Sequence, residues 1–349
     1  MRKTLLLGLV MGLFLSVNAV KTKVAYIAPT KTMYVPDASY AYGAPSAQNN
    51  DPIIRVLGAD TNLEVTVLNL TSVLATDVIA NLDTYDVIIV QESFGGTSGM
   101  LTPAGALALK TIPKPLIYNK TYALQTGRAL PSGAAGLGKE ADGTTSGTLS
   151  IAVETTALTH DLFKACTFEN TNQIKLFSAL STDLGQLGAS NSVKAINYNS
   201  GVVSSGGTLL AQPTIVQSAF TSSLCVNYFP SGSTFNGTES TKANAIFVGM
   251  NYGAICANAG LNMTDDNLTI WRNAVYILAG LPVPTTKAVL PSTAVKPIDA
   301  TAVVKSVEYF TVNGLKVKTP SNGVYVKRTT FENGAVKLDK MVLAEPMMK

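Results

Sequence analysis

Asp86-Val87-Ile88-Ile89-Val90-Gln91-Glu92-Ser93 decides the fold. From Val87 to Val90 every residue is apolar, so a strand there is apolar on both faces; polar residues begin at Gln91. A strand apolar on both faces is one buried on both faces, the mark of a parallel sheet covered by helices. Working outward, the pattern repeats at Val24-Ala25-Tyr26-Ile27-Ala28 (closed by Pro29), Glu64 to Leu70, Pro115-Leu116-Ile117-Tyr118 and Ala245-Ile246-Phe247-Val248-Gly249. Helical patterns lie between them. One runs from Asp51 to Gly58, with Asp51 as cap and Pro52 at the first position. Others run over Val73 to Leu82, after Thr102-Pro103, and over Asp265 to Leu278, where Trp271, Val275 and Leu278 share a face. Gly280 stands where a C-terminal cap belongs. The alternation predicts an α/β domain with a doubly wound parallel sheet.

Regularity stops after Tyr122. Gly127 to Gly147 is rich in Gly, Ser and Thr and reads as a long loop. Leu149 to Glu154, Gln173 to Leu180, Ser192 to Tyr198 and Thr208 to Ala211 then predict a β-rich insertion. Residues 282–302 have the Pro-, Thr- and Ala-rich composition of a linker. Residues 303–349 carry three Asn-Gly pairs, at Asn313-Gly314, Asn322-Gly323 and Asn333-Gly334, between β-rich flanks. Asn-Gly suits the positive-φ positions of type I′ turns, so this segment predicts a small antiparallel module of hairpins.

Arg2 and Lys3, the apolar run Thr4 to Val17 and the small-residue site Val17-Asn18-Ala19 predict a signal peptide over 1–19, cut after Ala19. No cysteine follows the cut, which disfavours an acylated lipoprotein, and no later segment is long and apolar enough to span a bilayer. The expected location is therefore secreted or on the outer-membrane surface. Charged residues make up 14% of the chain, and its net charge of +4 falls to +2 without Arg2 and Lys3. So even a balance offers no electrostatic case for nucleic acid or an anionic membrane. Cys166, Cys225 and Cys256 allow one disulfide with a thiol left over, or three buried free thiols; their spacing fits no zinc pattern.

Two resemblances add to this reading. Val307-Glu308-Tyr309-Phe310-Thr311-Val312-Asn313-Gly314, Gly323-Val324-Tyr325-Val326-Lys327, Asn333-Gly334 and Lys337 to Val342 resemble the sorting tail of the type IX secretion system of Bacteroidetes bacteria. The resemblance implies that secretion machinery recognises the module, carries the chain across the outer membrane and in some cases removes the tail. The larger domain resembles the class I glutamine amidotransferase-like, flavodoxin-like fold, nearest its ThuA-like branch. The residues are Pro29-Thr30 after the first strand, Gln91-Glu92-Ser93 after the third, Leu158-Thr159-His160-Asp161-Leu162-Phe163, and Ile246 to Leu278 with Asn273-Ala274. Asp161 stands where that family usually has Pro.

Amidotransferases of that fold place a nucleophilic Cys after a central strand. Here that strand leads into Asn119-Lys120-Thr121, with no cysteine. His160 is the single histidine, which excludes a His-rich metal site, and no Gly-x-Ser-x-Gly elbow accompanies it. Its imidazole either contacts a ligand or accepts a backbone hydrogen bond at a helix start. Asp265-Asp266 could bind a hard cation, but capping explains the pair equally, and no metal or cofactor is expected. Gly133 to Lys139 matches the start of a phosphate loop, but Glu140 then occupies the position of the Mg²⁺-binding hydroxyl, so a surface loop is the reading. Ligands of open α/β sheets bind outside the carboxyl ends of the strands. That rule makes Thr30, Glu92, Ser93, Asn119 and Lys120, with His160, the candidate ligand-binding residues, and leaves catalytic residues unknown. Three functions stay open: non-catalytic binding of a glycan or small molecule, a hydrolase using Glu92 and His160, and a structural or adhesive surface component.

Overall fold

The computed structural model describes residues 20–29, 51–70, 82–92, 113–119, 140–142, 149–178, 195–200, 206–214, 223–235, 239–256, 260–291, 304–311, 313–321, 323–331 and 336–343. The chain divides into two compact units, Met1–Pro291 and Ser292–Lys349.

In chain order the strands of the first unit are β1 (Thr22–Pro29), β2 (Leu63–Leu70), β3 (Val87–Val90), β4 (Leu116–Tyr118), β5 (Glu140–Asp142), β6 (Ser150–Val153), β7 (Gln173–Lys175), β8 (Asn197–Ser200), β9 (Thr208–Pro213), β10 (Ser223–Leu224), β11 (Val226–Phe229), β12 (Thr234–Phe235), β13 (Glu239–Ser240) and β14 (Ala245–Val248). Its described helices are α1 (Pro52–Ala59), α2 (Tyr252–Cys256) and α3 (Asp265–Leu278). The helices expected over 73–82 and after Thr102 lie outside the described residues.

One nine-stranded sheet dominates, in the order β2-β1-β3-β4-β14-β11-β9-β6-β7. The first five strands are mutually parallel. The remaining pairs, β14 to β11 and on to β7, are antiparallel. The fold is thus an α/β arrangement built on a mixed sheet, parallel at one end. Val24 to Ala28, Val87 to Val90, and Leu116 to Tyr118 are buried without alternation, as strands apolar on both faces must be. The β-rich segment expected as an insertion contributes β6, β7 and β9 to this same sheet instead of forming a body of its own; β5, β8 and β10 make a separate three-stranded sheet. Open strand edges are satisfied best by further strands, which is why such segments extend a sheet.

Asp51 caps α1 as its sequence suggests, its Oδ1 accepting from the amides of Ile53 at 2.9 Å and Ile54 at 3.3 Å. Thr264 caps α3 through the amide of Asn267 at 3.2 Å, and Asp265 and Asp266 complement the dipole in its first turn. At the other end Gly280 takes φ 68°. Leu281 N donates to Tyr276 O at 2.8 Å and Gly280 N to Ile277 O at 3.2 Å, a Schellman closure.

The pattern of α3 predicts one buried face, yet residues 267–276 are buried all round. Two coverings explain the difference. The turn Asp161–Phe163 lies against it, with Asn273 Nδ2 donating to the carbonyls of Asp161, Leu162 and Lys164. Residues 281–291, part of the segment with linker composition, form a strap. Arg272 Nη2 donates to Thr286 O, Ala288 N to Thr269 Oγ1 at 2.9 Å, Lys287 Nζ pairs with Asp266 at 2.6 Å, and Arg55 Nη2 reaches Pro291 O.

The second unit is a four-stranded antiparallel sheet of β15 (Val304–Thr311), β16 (Lys316–Val317), β17 (Gly323–Phe331) and β18 (Val336–Leu343), in the order β16-β15-β17-β18. Gly314, φ 80°, turns β15 into β16 as its Asn-Gly pair predicts. The second pair does not make a hairpin: β16 and β17 flank β15 on opposite sides, and Gly323 opens β17 at φ 141°. Asn333-Gly334 lies outside the described residues, between β17 and β18, which do pair antiparallel. Among the described residues no helix is long and apolar enough to cross a membrane.

Candidate functional site

Parallel strands bring their carboxyl ends to one edge, and the residues following β3, β4 and β14 meet there. Gln91 N donates to Ile27 O and Asn119 N to Val90 O, each at 3.0 Å, so the first residue beyond each strand is held in register with its neighbour. Glu92 is 1% exposed, and its Oε2 accepts from the amide of Tyr252, the first residue of α2, at 3.0 Å. Asn119 is wholly enclosed, and its Oδ1 accepts from the amide of Met250 at 3.0 Å. An amide donor requires an oxygen acceptor, so this bond fixes which way the Asn119 amide faces. Its Nδ2 consequently points elsewhere, and it is buried with no hydrogen-bond partner. A buried donor left unpaired costs roughly 1–3 kcal/mol, so it needs a physical reason.

The structure therefore gathers Glu92 and Asn119 around the segment 250–252. Thr30, Ser93 and Lys120 lie outside the described residues. His160 is elsewhere. It precedes the turn Asp161–Phe163, and its Nδ1 accepts from Leu162 N at 3.1 Å, the backbone role that is one of its two sequence readings. Accepting at Nδ1 requires the neutral ring, and burial lowers the imidazole's basicity, consistent with that form. Its ring contacts are Phe163, at 6.5 Å between centroids, and Tyr228 of β11, at 5.9 Å. Tyr228 pairs with Ile246, early in β14, whereas Asn119 and Glu92 bond to residues beyond the end of β14. Those contacts do not bring Glu92 and His160 together.

Asp51 is a further buried acid, and its carboxyl is pushed up to about 6 by burial, against hydrogen bonds from Tyr26, Ile54 and Ile53. Two of those come from Ile53 and Ile54, the third from the Tyr26 hydroxyl at 2.7 Å. A raised carboxyl marks acid–base chemistry when it faces a cleft. Asp51 is fully enclosed and acts as a cap.

Among the described side chains no thiol stands at these strand ends. Asn119 stands after β4, where the amidotransferase resemblance would place a cysteine. Cys166 and Cys225 are free, and burial pushes both up to about 12, which holds them as thiols. Among the described residues no group of three or more His, Cys, Asp and Glu side chains is set to hold a metal ion.

A second group of polar side chains has no counterpart in the sequence reading. Across β9, β6 and β7, Gln212 pairs with Ala152 and Ala152 with Gln173. Directly paired residues project from the same face, so two amides flank one methyl. Glu154 follows on that face, two residues beyond Ala152, and accepts from Gln212 Nε2 at 2.6 Å. With Thr155 and Asn172 they line an open cleft of about 320 Å³.

No protein-family model matches the chain, and no curated protein is similar to it.

Proposed function

We propose that this chain is an exported binding protein whose α/β unit, flavodoxin-like in plan, holds a small polar molecule or glycan at the carboxyl ends of its parallel strands without catalysing a reaction there. The observation that carries this is the enclosed Asn119 Nδ2, a donor oriented by the Met250 amide and left without a partner at the end of β4. Supporting the fold reading, the five parallel strands run β2-β1-β3-β4-β14, the order in which an open sheet places its ligand at the strand ends. Against a hydrolase, Glu92 Oε2 accepts from Tyr252 N and His160 Nδ1 from Leu162 N. Export rests on the N-terminal sequence and on the resemblance of 303–349 to sorting tails. In this reading the tail directs the chain to the outer surface.

The test is a thermal-shift screen of residues 20–349 against glycans and small polar metabolites, run beside Asn119→Asp. That variant keeps an oxygen for Met250 N and removes the unpaired donor. The reading expects a ligand that stabilises the parent chain and fails to stabilise a folded Asn119→Asp or Lys120→Ala. Equal stabilisation of parent and variants, or none by any compound class, would move the assignment to a structural surface component.

A further inference from the structure

The cleft on the antiparallel wing is a second site, and we infer that it binds a neutral saccharide. Its volume of about 320 Å³ sits at the lower end of the roughly 300–1,000 Å³ of ligand pockets, enough for a sugar ring or two. Its lining is mostly hydrogen-bonding side chains over a small floor, Ala152, with Val153 and Pro213 as the other apolar residues.

What distinguishes it from an ordinary polar surface is that its groups are already oriented. Glu154 is an acceptor only, so Gln212 must present Nε2 to it, and a backbone carbonyl fixes Asn172 the same way, Nδ2 donating to Val153 O at 2.8 Å. Gln173 Oε1 accepts from Asn170 Nδ2 at 3.2 Å. Each bond holds one end of a side chain whose residue lines the cleft. Among the described residues, Glu154 Oε2 and Asn172 Oδ1 remain as acceptors, Gln173 Nε2 as a donor and the Thr155 hydroxyl as either. Half-burial of Glu154, Asn172 and Gln173 limits their rotation. Such pre-ordering removes part of the entropy that a ligand otherwise has to overcome.

The chemistry of the lining selects the ligand class. Vicinal sugar hydroxyls both donate and accept, which matches a lining of mixed donors and acceptors. Among the described residues no Lys or Arg lines the cleft and Glu154 is the one charge, which disfavours phosphates and carboxylates. Apolar ligands find only Ala152, Val153 and Pro213, and Val153 is wholly buried. One carboxylate without a second opposite it does not make a glycosidase, where two flank the bond that breaks. The site therefore binds and does not cleave. It lies on β9, β6 and β7, at the other end of the sheet from β3 and β4, so it is independent of the strand-end reading.

The experiment is isothermal titration of residues 20–349 with glucose, galactose, mannose, N-acetylglucosamine and their β-linked disaccharides, with inorganic phosphate and tetramethylammonium as controls. At least one neutral sugar binds with millimolar to micromolar affinity, and neither control does. Ala152→Gln, which fills the floor, weakens binding at least tenfold. Gln173→Ala weakens it about three- to tenfold, while the melting temperatures of both variants stay near the parent's and Asn119→Asp binds the sugar normally. Absence of binding by every sugar overturns the inference. So does binding that survives Ala152→Gln and Gln173→Ala, or that is lost only in Asn119→Asp, since the sugar would then occupy the strand ends. Binding of tetramethylammonium in place of sugars would make this a cation site and overturn it equally.

Discussion

Asp51→Asn should abolish a pH dependence of stability that the folded chain carries at the start of α1. The Asp51 carboxyl has an ordinary value of 3.8 and is pushed up to about 6 in the fold, chiefly by burial. Between those values the folded state holds a proton that the unfolded chain has released. Stability contributed by that proton is complete below pH 3.8 and falls as pH rises toward 6. At 1.36 kcal/mol for each pH unit between the two values, the loss by pH 7 is about 3 kcal/mol. Asparagine keeps an oxygen for the amides of Ile53 and Ile54, is an equally good helix cap, and does not titrate. The Tyr26 hydroxyl can turn to accept from the new amide. Urea unfolding of parent and variant at pH 4.5, 5.5, 6.5 and 7.5 isolates the effect, because every other titrating group is common to both. The difference in unfolding free energy should move by about 2 kcal/mol across the series, in the variant's favour as pH rises. A constant difference, or one that moves the other way, would refute the argument that burial outweighs the three hydrogen bonds.

Gly260→Ala should destabilise by about 2–4 kcal/mol by chemical denaturation, since φ is 85° and an added Cβ would lie 2.7 Å from Pro52 Cβ. A loss under 0.5 kcal/mol would show that this approach to the start of α1 relaxes freely. Asn273→Ala removes one donor shared by three carbonyls and should cost about 1–3 kcal/mol while leaving α3 helical by circular dichroism. Cys166 and Cys225, both held up to about 12, should resist iodoacetamide at pH 8 in the native chain and react in denaturant, read by peptide mass spectrometry. Rapid native alkylation of Cys225 would contradict its enclosure in the core.

The fold was legible where local pattern and tertiary environment agree. The apolar runs ending at Val90 and Tyr118 located β3 and β4, and Asp265 to Leu278 is a helix over the span its periodicity gives. Strand ends follow from those runs, so Glu92 and Asn119 were identifiable as residues that meet, though not as enclosed ones. What failed is pairing at a distance. Val226-Asn227-Tyr228-Phe229 has no alternation to announce a strand, yet β11 is the first antiparallel strand, paired with β14 on one side and β9 on the other. Asn322-Gly323 has the composition of a hairpin turn, but turn chemistry cannot report that the strands it connects lie on either side of a third. The cleft was invisible for the same reason: Glu154 and Gln212 are 58 residues apart, and only register makes them neighbours.

The position of β14 has a kinetic consequence. It pairs with β4 on one side and β11 on the other, so it joins the two parts of the sheet, yet it arrives late in the chain. The bond from Met250 N to Asn119 spans 131 residues. Contacts of such separation are entropically slow to form. As the chain emerges from the ribosome, β1 to β4 have to wait, with an apolar edge uncovered, until residues 245–250 are available. Until then the edge of β4 lacks the partner it has in the folded sheet, and unpaired strand edges are where incompletely folded chains associate.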